Sequence, residues 1–147
     1  RFFLIFGVAT WTGRIARAIQ KERKIYLWDY AQIQDVAARF ENMVAAELQR
    51  AVVLWNDLGY GRFSLHFIRD KDKREVDFLI AEEGAPFLLV EAKLGDTEPA
   101  KALRFFQEQL GLPAVQLTGG GGSYQLFNSG ERQLLVAPAA AWLSHLP

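Results

Sequence analysis

Hydrophobic and polar positions change period several times along the chain. From about Asp35 to Trp55, the residues Phe40, Val44, Leu48, Val52 and Trp55 return every three or four positions. This is the stripe of an amphipathic helix, ending before Asn56-Asp57-Leu58-Gly59. The period then drops to two, with Phe63, Leu65 and Phe67 alternating against Ser64, His66 and Ile68 as in a half-buried strand. A charged turn, Asp70 to Arg74, precedes two more strands, 75–82 and 87–94, which the Glu83-Gly84-Ala85-Pro86 loop joins as an antiparallel hairpin. Thr97 and Pro99 start a second helix, Leu103, Phe106 and Leu110 form its apolar face, and Gly111 with Pro113 stops it. Residues 113–118 read as a strand packed behind that helix. Residues 24–30 read as a short strand or extended segment, 124–127 and 132–138 are candidates to extend the sheet, and 139–146 reads as a short terminal helix. The central order αβββαβ predicts a mixed α/β (α+β) fold, a central mixed sheet flanked by helices, with a right-handed crossover if its two strands run parallel.

Composition narrows the setting. The 147 residues are half hydrophobic, enough for one domain with a real core. That core is expected over about 24–118, with 1–23 a remnant of a linker or preceding region and 119–147 a C-terminal extension. Seventeen Lys+Arg balance 17 Asp+Glu, so a polyanion site would have to be local. The absence of cysteine removes disulfides and thiolate zinc sites and points to a reducing, cytoplasmic compartment. The apolar run from Phe2 to Ala9 is too short to span a bilayer and lacks signal-peptide order, so it reads as part of the fold and no membrane partner is expected. Beginning at Arg1, the chain reads as a piece of a longer polypeptide. The run Gly119–Ser123 lacks the strand-then-helix context of a phosphate cradle and reads as a flexible loop.

Candidate chemistry sits in the hairpin. Glu91 and Lys93 lie two apart on one strand and share a face. If the hairpin centres on Gly84, Asp77 lies opposite Glu91; a one-residue slip would turn it away. Two facing carboxylates repel, more so when buried, and invite a cation between them, for which hard oxygen donors favour magnesium or manganese. Lys93 would then orient or deprotonate the attacking water, or neutralise charge on a phosphate. The same residues also suit a solvated ion-pair ladder on an exposed edge hairpin. Against that ladder, the strand is apolar on both sides of its charged pair, as expected of an interior strand opening onto a cleft. Glu41 falls within the apolar stripe of the first helix, where an acid needs a partner, whereas Glu47 lies nearer the stripe's edge.

Glu41 in a helix, Asp77 at a strand start and then Glu91-Ala92-Lys93 together resemble the P-D…(D/E)-x-K nuclease superfamily. The segments KIYLWDY, FENMVAAEL, REVDFLI and FLLVEAKL resemble the DUF4143-type C-terminal domain that follows an AAA-type ATPase module in many prokaryotic proteins. The resemblance covers about residues 24–118. It implies a restriction-endonuclease-like core in which Asp77, Glu91 and the carbonyl of Ala92 hold magnesium, Lys93 positions the attacking water and Glu41 assists from the helix. It implies phosphodiester hydrolysis, with DNA as the expected substrate. Val76 stands where the superfamily nominally has proline, and no Walker sequence is present, so this chain alone is not expected to hydrolyse ATP.

The competing expectation is a nuclease-like fold that only binds, docking DNA or a partner for the attached ATPase. Neutral net charge favours it, since phosphate neutralisation supplies most nuclease affinity for DNA. The one dense basic cluster is Arg69, Lys71, Lys73 and Arg74, diluted by Asp70 and Asp72. Gln107, on the second helix, resembles a glutamine that some superfamily members use at their sites. A serine-hydrolase reading has no Gly-x-Ser-x-Gly behind it, and His66 and His145 sit in unrelated contexts. Trp11, Trp28, Trp55 and Trp142 read as core or interface aromatics.

Overall fold

A computed structural model describes residues 4–13, 22–95 and 97–147. Eight strands form one mixed sheet in the order β2-β1-β3-β4-β5-β6-β8-β7. The first pair, β1 (Ile5–Thr10) and β2 (Arg23–Leu27), is antiparallel, and β1 joins the rest by a short parallel pairing at Ala9–His66 and Thr10–Phe67. The apolar run at Ile5–Thr10, inside the segment 1–23, is a strand of the sheet. Strands β3 (Phe63–Arg69), β4 (Glu75–Glu82) and β5 (Ala85–Lys93) form an antiparallel meander. Strand β6 (Ala114–Thr118) lies parallel to β5, β8 (Arg132–Pro138) lies parallel to β6, and β7 (Gln125–Ser129) closes the far edge antiparallel to β8.

Helix α1 (Val36–Asp57) starts where the sequence predicts, because the Asp35 side chain accepts the Ala38 N–H at 2.7 Å. It runs two residues past Trp55, far enough for the Asn56 amide to bond both Phe63 N–H and Phe63 C=O and so fix the start of β3. Helix α2 (Lys101–Leu110) begins after Thr97 and Pro99, and Ala100 caps it without a side-chain bond. Its leading segment is held from the sheet instead: buried Gln116 of β6 accepts from Ala100 N–H and donates to Glu98 C=O, both at 2.8 Å. Gly111 ends α2 in the left-handed region, φ 64°. The β4–β5 turn is two residues, Glu83-Gly84, with φ 51° and 81°, rather than the four expected. Two left-handed residues in succession match the strand twist and let β5 begin at Ala85.

The sheet separates two apolar cores. Phe40, Val44 and Leu48 of α1, with Ala139 of the short α3 (Ala139–Leu143), pack on Phe67, Phe78, Ile80 and Val90. Leu103 and Phe106 of α2 pack on Leu79, Leu89 and Leu134 of the opposite face. The chain is therefore a mixed α/β fold with a central mixed sheet flanked by helices. No helix among the described residues is long and apolar enough to cross a membrane.

Candidate functional site

Asp77 and Glu91 meet where β4 and β5 part. The paired ladder runs to Phe78–Val90, which sets Asp77 opposite Glu91, and there side chains take over the backbone's partners. The Asp77 N–H donates to Glu91 Oε2 at 3.1 Å, and the Ala92 N–H donates to Asp77 Oδ2 at 3.0 Å. Each carboxylate therefore has one oxygen fixed by a backbone amide and one left to face charged neighbours. Glu91 Oε1 lies 3.3 Å from the Lys93 ammonium, and Asp77 Oδ1 lies 4.0 Å from the ammonium of Lys24. Ala92, expected to offer its carbonyl, reaches Asp77 through its N–H.

Glu41 comes to the same place from α1. Its Oε1 accepts the Tyr26 hydroxyl at 2.8 Å and lies 3.5 Å from Lys24 Nζ, so the partner that an acid on this stripe requires comes from β2. The next helical residue explains why β2 is there. Asn42, 4% exposed, accepts from Leu27 N–H at 2.9 Å and donates to Leu27 C=O at 2.6 Å, binding the backbone of β2 as a neighbouring strand would. Glu75, two residues before Asp77 on β4, bonds the Lys24 ammonium and the Arg69 guanidinium. Lys24, Tyr26, Asn42 and Glu75 were not among the sequence candidates. The available signal was parity: Lys24 shares a strand face with Tyr26, as Glu75 does with Asp77 in a regular strand.

The electrostatics follow from burial and crowding. Burial, then the Glu91 and Glu41 carboxylates, push Asp77 up to about 8 against the pull of the Ala92 amide and Lys24. Glu91 is also raised, by burial and secondarily by Glu41, although the Asp77 amide and Lys93 oppose the shift. The two behave as a proton-sharing pair. Burial raises Glu75 too, but Lys24 and Arg69 outweigh it and hold that carboxyl below its ordinary value. Burial lowers Lys24, and its carboxylate partners more than reverse this. The Tyr26 hydroxyl is raised by burial and by Glu41, so it stays a hydrogen-bond donor.

The remaining candidates lie elsewhere or are engaged within the chain. Arg69 is tied to Glu22 and Glu75; Arg74 bonds Asp70 and Asp72 and stacks on Phe105, its guanidinium carbon 3.6 Å from the ring centroid. Lys71 and Lys73 are exposed in the turn between them. Gln107 is fully buried and donates to Gln133 C=O at 3.0 Å. Glu91 is level with Gln116 and Val136, so Gln133 lies three residues along β8 and two strands across, about 10 Å in each direction. Gln107 therefore sits apart from the acids, packing α2 onto β8. Glu47 pairs with Arg50 at 2.7 Å, His66 Nε2 lies 2.8 Å from Ser64 Oγ, and His145 is exposed in the last turn.

The donor set fits a hard divalent cation. Asp77 and Glu91 present carboxylate oxygens whose mutual repulsion a cation would relieve, and magnesium binds through one or two carboxylates while keeping waters for its other positions. Among the described residues, no group of three or more His, Cys, Asp or Glu side chains is placed to enclose a metal by itself. Two carboxylates, with water and substrate oxygens, are what this centre would offer.

A family model described as a domain of unknown function, DUF4143, matches residues 37–135, more than half the chain. No curated protein shows a match. No solved structure shows one either. The matched segment holds Glu41, Glu75, Asp77, Glu91 and Lys93 and begins after Lys24 and Tyr26. The chain belongs to the DUF4143 family.

Proposed function

We propose that this domain is a metal-dependent nuclease with a restriction-endonuclease-like core, attached in the full protein to an AAA-type ATPase module and working in the cytoplasm. The observation that carries the reading is the facing Asp77–Glu91 pair at the parting of β4 and β5, with Lys93 on Glu91. The order α1-β3-β4-β5-α2-β6, an antiparallel meander followed by a helix and a parallel strand, agrees with that core. The ATPase attachment rests on the sequence resemblance.

Asp77 and Glu91 would hold magnesium or manganese, which supplies charge neutralisation and Lewis acidity at a phosphodiester. Lys93, its side chain 41% exposed and its ammonium 3.3 Å from Glu91 Oε1, would orient the attacking water and face the charge gained by the phosphate. Water adds to phosphorus, one P–O ester bond breaks, and the leaving oxygen takes up a proton. Glu41 would steady the site through Tyr26 and Lys24.

A second reading, a nuclease-like module that docks DNA or a partner without cutting, is favoured by the internal pairing of Arg69 and Arg74, which leaves Lys71 and Lys73 as the outward cations of the basic turn. Purified protein incubated with linear, circular and single-stranded DNA, with magnesium, manganese or chelator, separates the two. Metal-dependent cutting that Lys93→Ala abolishes supports the nuclease. DNA binding without cutting, retained in a Glu91→Ala, Lys93→Ala double variant, supports the docking module instead.

A further inference from the structure

Lys24 belongs to β2, ahead of the segment that matches the family, yet its ammonium is where three carboxylates from two other elements converge. It bonds Glu75 Oε1 and lies 3.5 Å from Glu41 Oε1 and 4.0 Å from Asp77 Oδ1. The ammonium sits 5.2 Å above the Phe67 ring centroid, and its strand is clamped to α1 by Asn42, so this cation is held in place from both sides. Asp77 divides its two oxygens accordingly: Oδ2 is fixed on the Ala92 side, beside Glu91, and Oδ1 faces Lys24. A carboxylate shared in this way between two cation positions is what a two-metal phosphoryl-transfer centre uses, with its ions about 3.5–4 Å apart.

We propose that Lys24 stands in place of a second divalent cation, so that this centre takes one divalent ion where its acidic residues would otherwise take two. The inference rests on the reading of Asp77 and Glu91 as the holders of a divalent ion. A tethered ammonium shared between Glu41 and Glu75 carries a single charge and cannot exchange with solvent. It therefore sets the metal stoichiometry of the site.

The test is the number of Mn2+ ions bound per chain at pH 8, from free-Mn2+ paramagnetic resonance, for the parent, Lys24→Gln, Lys24→Arg and Asp77→Asn. Lys24→Gln removes the charge and leaves an amide donor on a side chain one bond shorter. The expected counts are one for the parent, two for Lys24→Gln and one for Lys24→Arg, with weakened binding in Asp77→Asn. A Lys24→Gln protein that binds one ion with unchanged affinity overturns the role of Lys24 and leaves the Asp77–Glu91 reading intact. A parent that binds no ion overturns both. Should Lys24→Gln fail to fold, the parent decides alone: at saturating Mn2+ it is expected to give the resonance of isolated ions, and a spin-coupled Mn2+ pair overturns the proposal.

Discussion

Replacing Asp77 with asparagine should make the protein more stable, increasingly so as pH rises. Asparagine keeps an oxygen for the Ala92 N–H and removes the charge that Glu91 and Glu41 oppose. Asp77 is raised from 3.8 to about 8 in the folded chain, so between these values the folded state holds a proton that the unfolded state has lost. Stability then falls with rising pH, by up to about 1.4 kcal/mol per pH unit for one fully retained proton. The contribution is complete below the unfolded value and gone above the folded one. From pH 5.5 to 7.5 the parent should lose about 2–3 kcal/mol through the Asp77–Glu91 pair, most of which Asp77→Asn does not share. For a domain of this size that corresponds to about 5–10 °C in melting temperature.

The assay is urea unfolding of parent and variant at pH 5.5, 6.5 and 7.5 in the presence of chelator. Glu75 is held down and Lys24 is raised, so their transitions fall on the acid and alkaline sides of this window. The two histidines are common to both proteins and cancel in the difference. Curves that stay parallel, or a gap that narrows as pH rises, would refute the claim that Asp77 is buried against like charge. The same variant should lose metal-dependent cutting, so that stability and activity move in opposite directions.

Three further outcomes follow from the packing. Asn42→Ala removes both bonds to the Leu27 backbone and leaves that N–H and C=O without their side-chain partner, which should cost about 2–3 kcal/mol in urea unfolding and weaken Mn2+ binding as β2 loosens. Gly111→Ala puts a Cβ on a residue at φ 64°, with an Arg132 guanidinium nitrogen 3.2 Å from it, and should cost about 1 kcal/mol with no change in cutting. Gln107→Leu loses the bond to Gln133 but also removes a buried Oε1 that has no hydrogen-bond partner, so stability should shift by less than about 1 kcal/mol; a selective loss of cutting in the folded variant would place Gln107 in the site after all.

The parts of this fold that were legible in the sequence are the local ones. Helix α1 announced itself through Asp35 and a long apolar stripe, and the β4–β5 register followed from centring the turn on Gly84. The non-local parts were hidden. Strand β1 is a nearly continuous apolar run, without the alternation that marks a half-buried strand, and its partner β3 lies more than fifty residues away. Lys24 was hidden for the same reason: β2 is three places from β4 in the sheet, and the side chain reaches Glu75 only by crossing the face of Phe67. Glu75 is a charged residue just after a charged turn, and nothing in its neighbours distinguishes it from a solvated one. Its role appears only once β2 delivers the ammonium.

The cost of this arrangement is itself an argument about function. Two carboxylates raised by burial and by one another are a standing instability, and a protein needing only a stable sheet would do better with an apolar pair of similar shape at the parting of β4 and β5. The surrounding cations reduce the cost without removing it: Lys24 faces Glu41, Glu75 and Asp77, Lys93 pairs with Glu91, and Arg69 is divided between Glu75 and Glu22. A docking module gains nothing from that residual strain, because its acids could be fully neutralised or absent. A centre that must accept a divalent ion needs it, because relief of the Asp77–Glu91 repulsion favours the ion, and the gain is realised in full once the pH is high enough for Asp77 to give up its proton. The instability predicted for ionised Asp77 and the metal affinity predicted for the parent are therefore two readings of one interaction, and Asp77→Asn should remove the first and weaken the second.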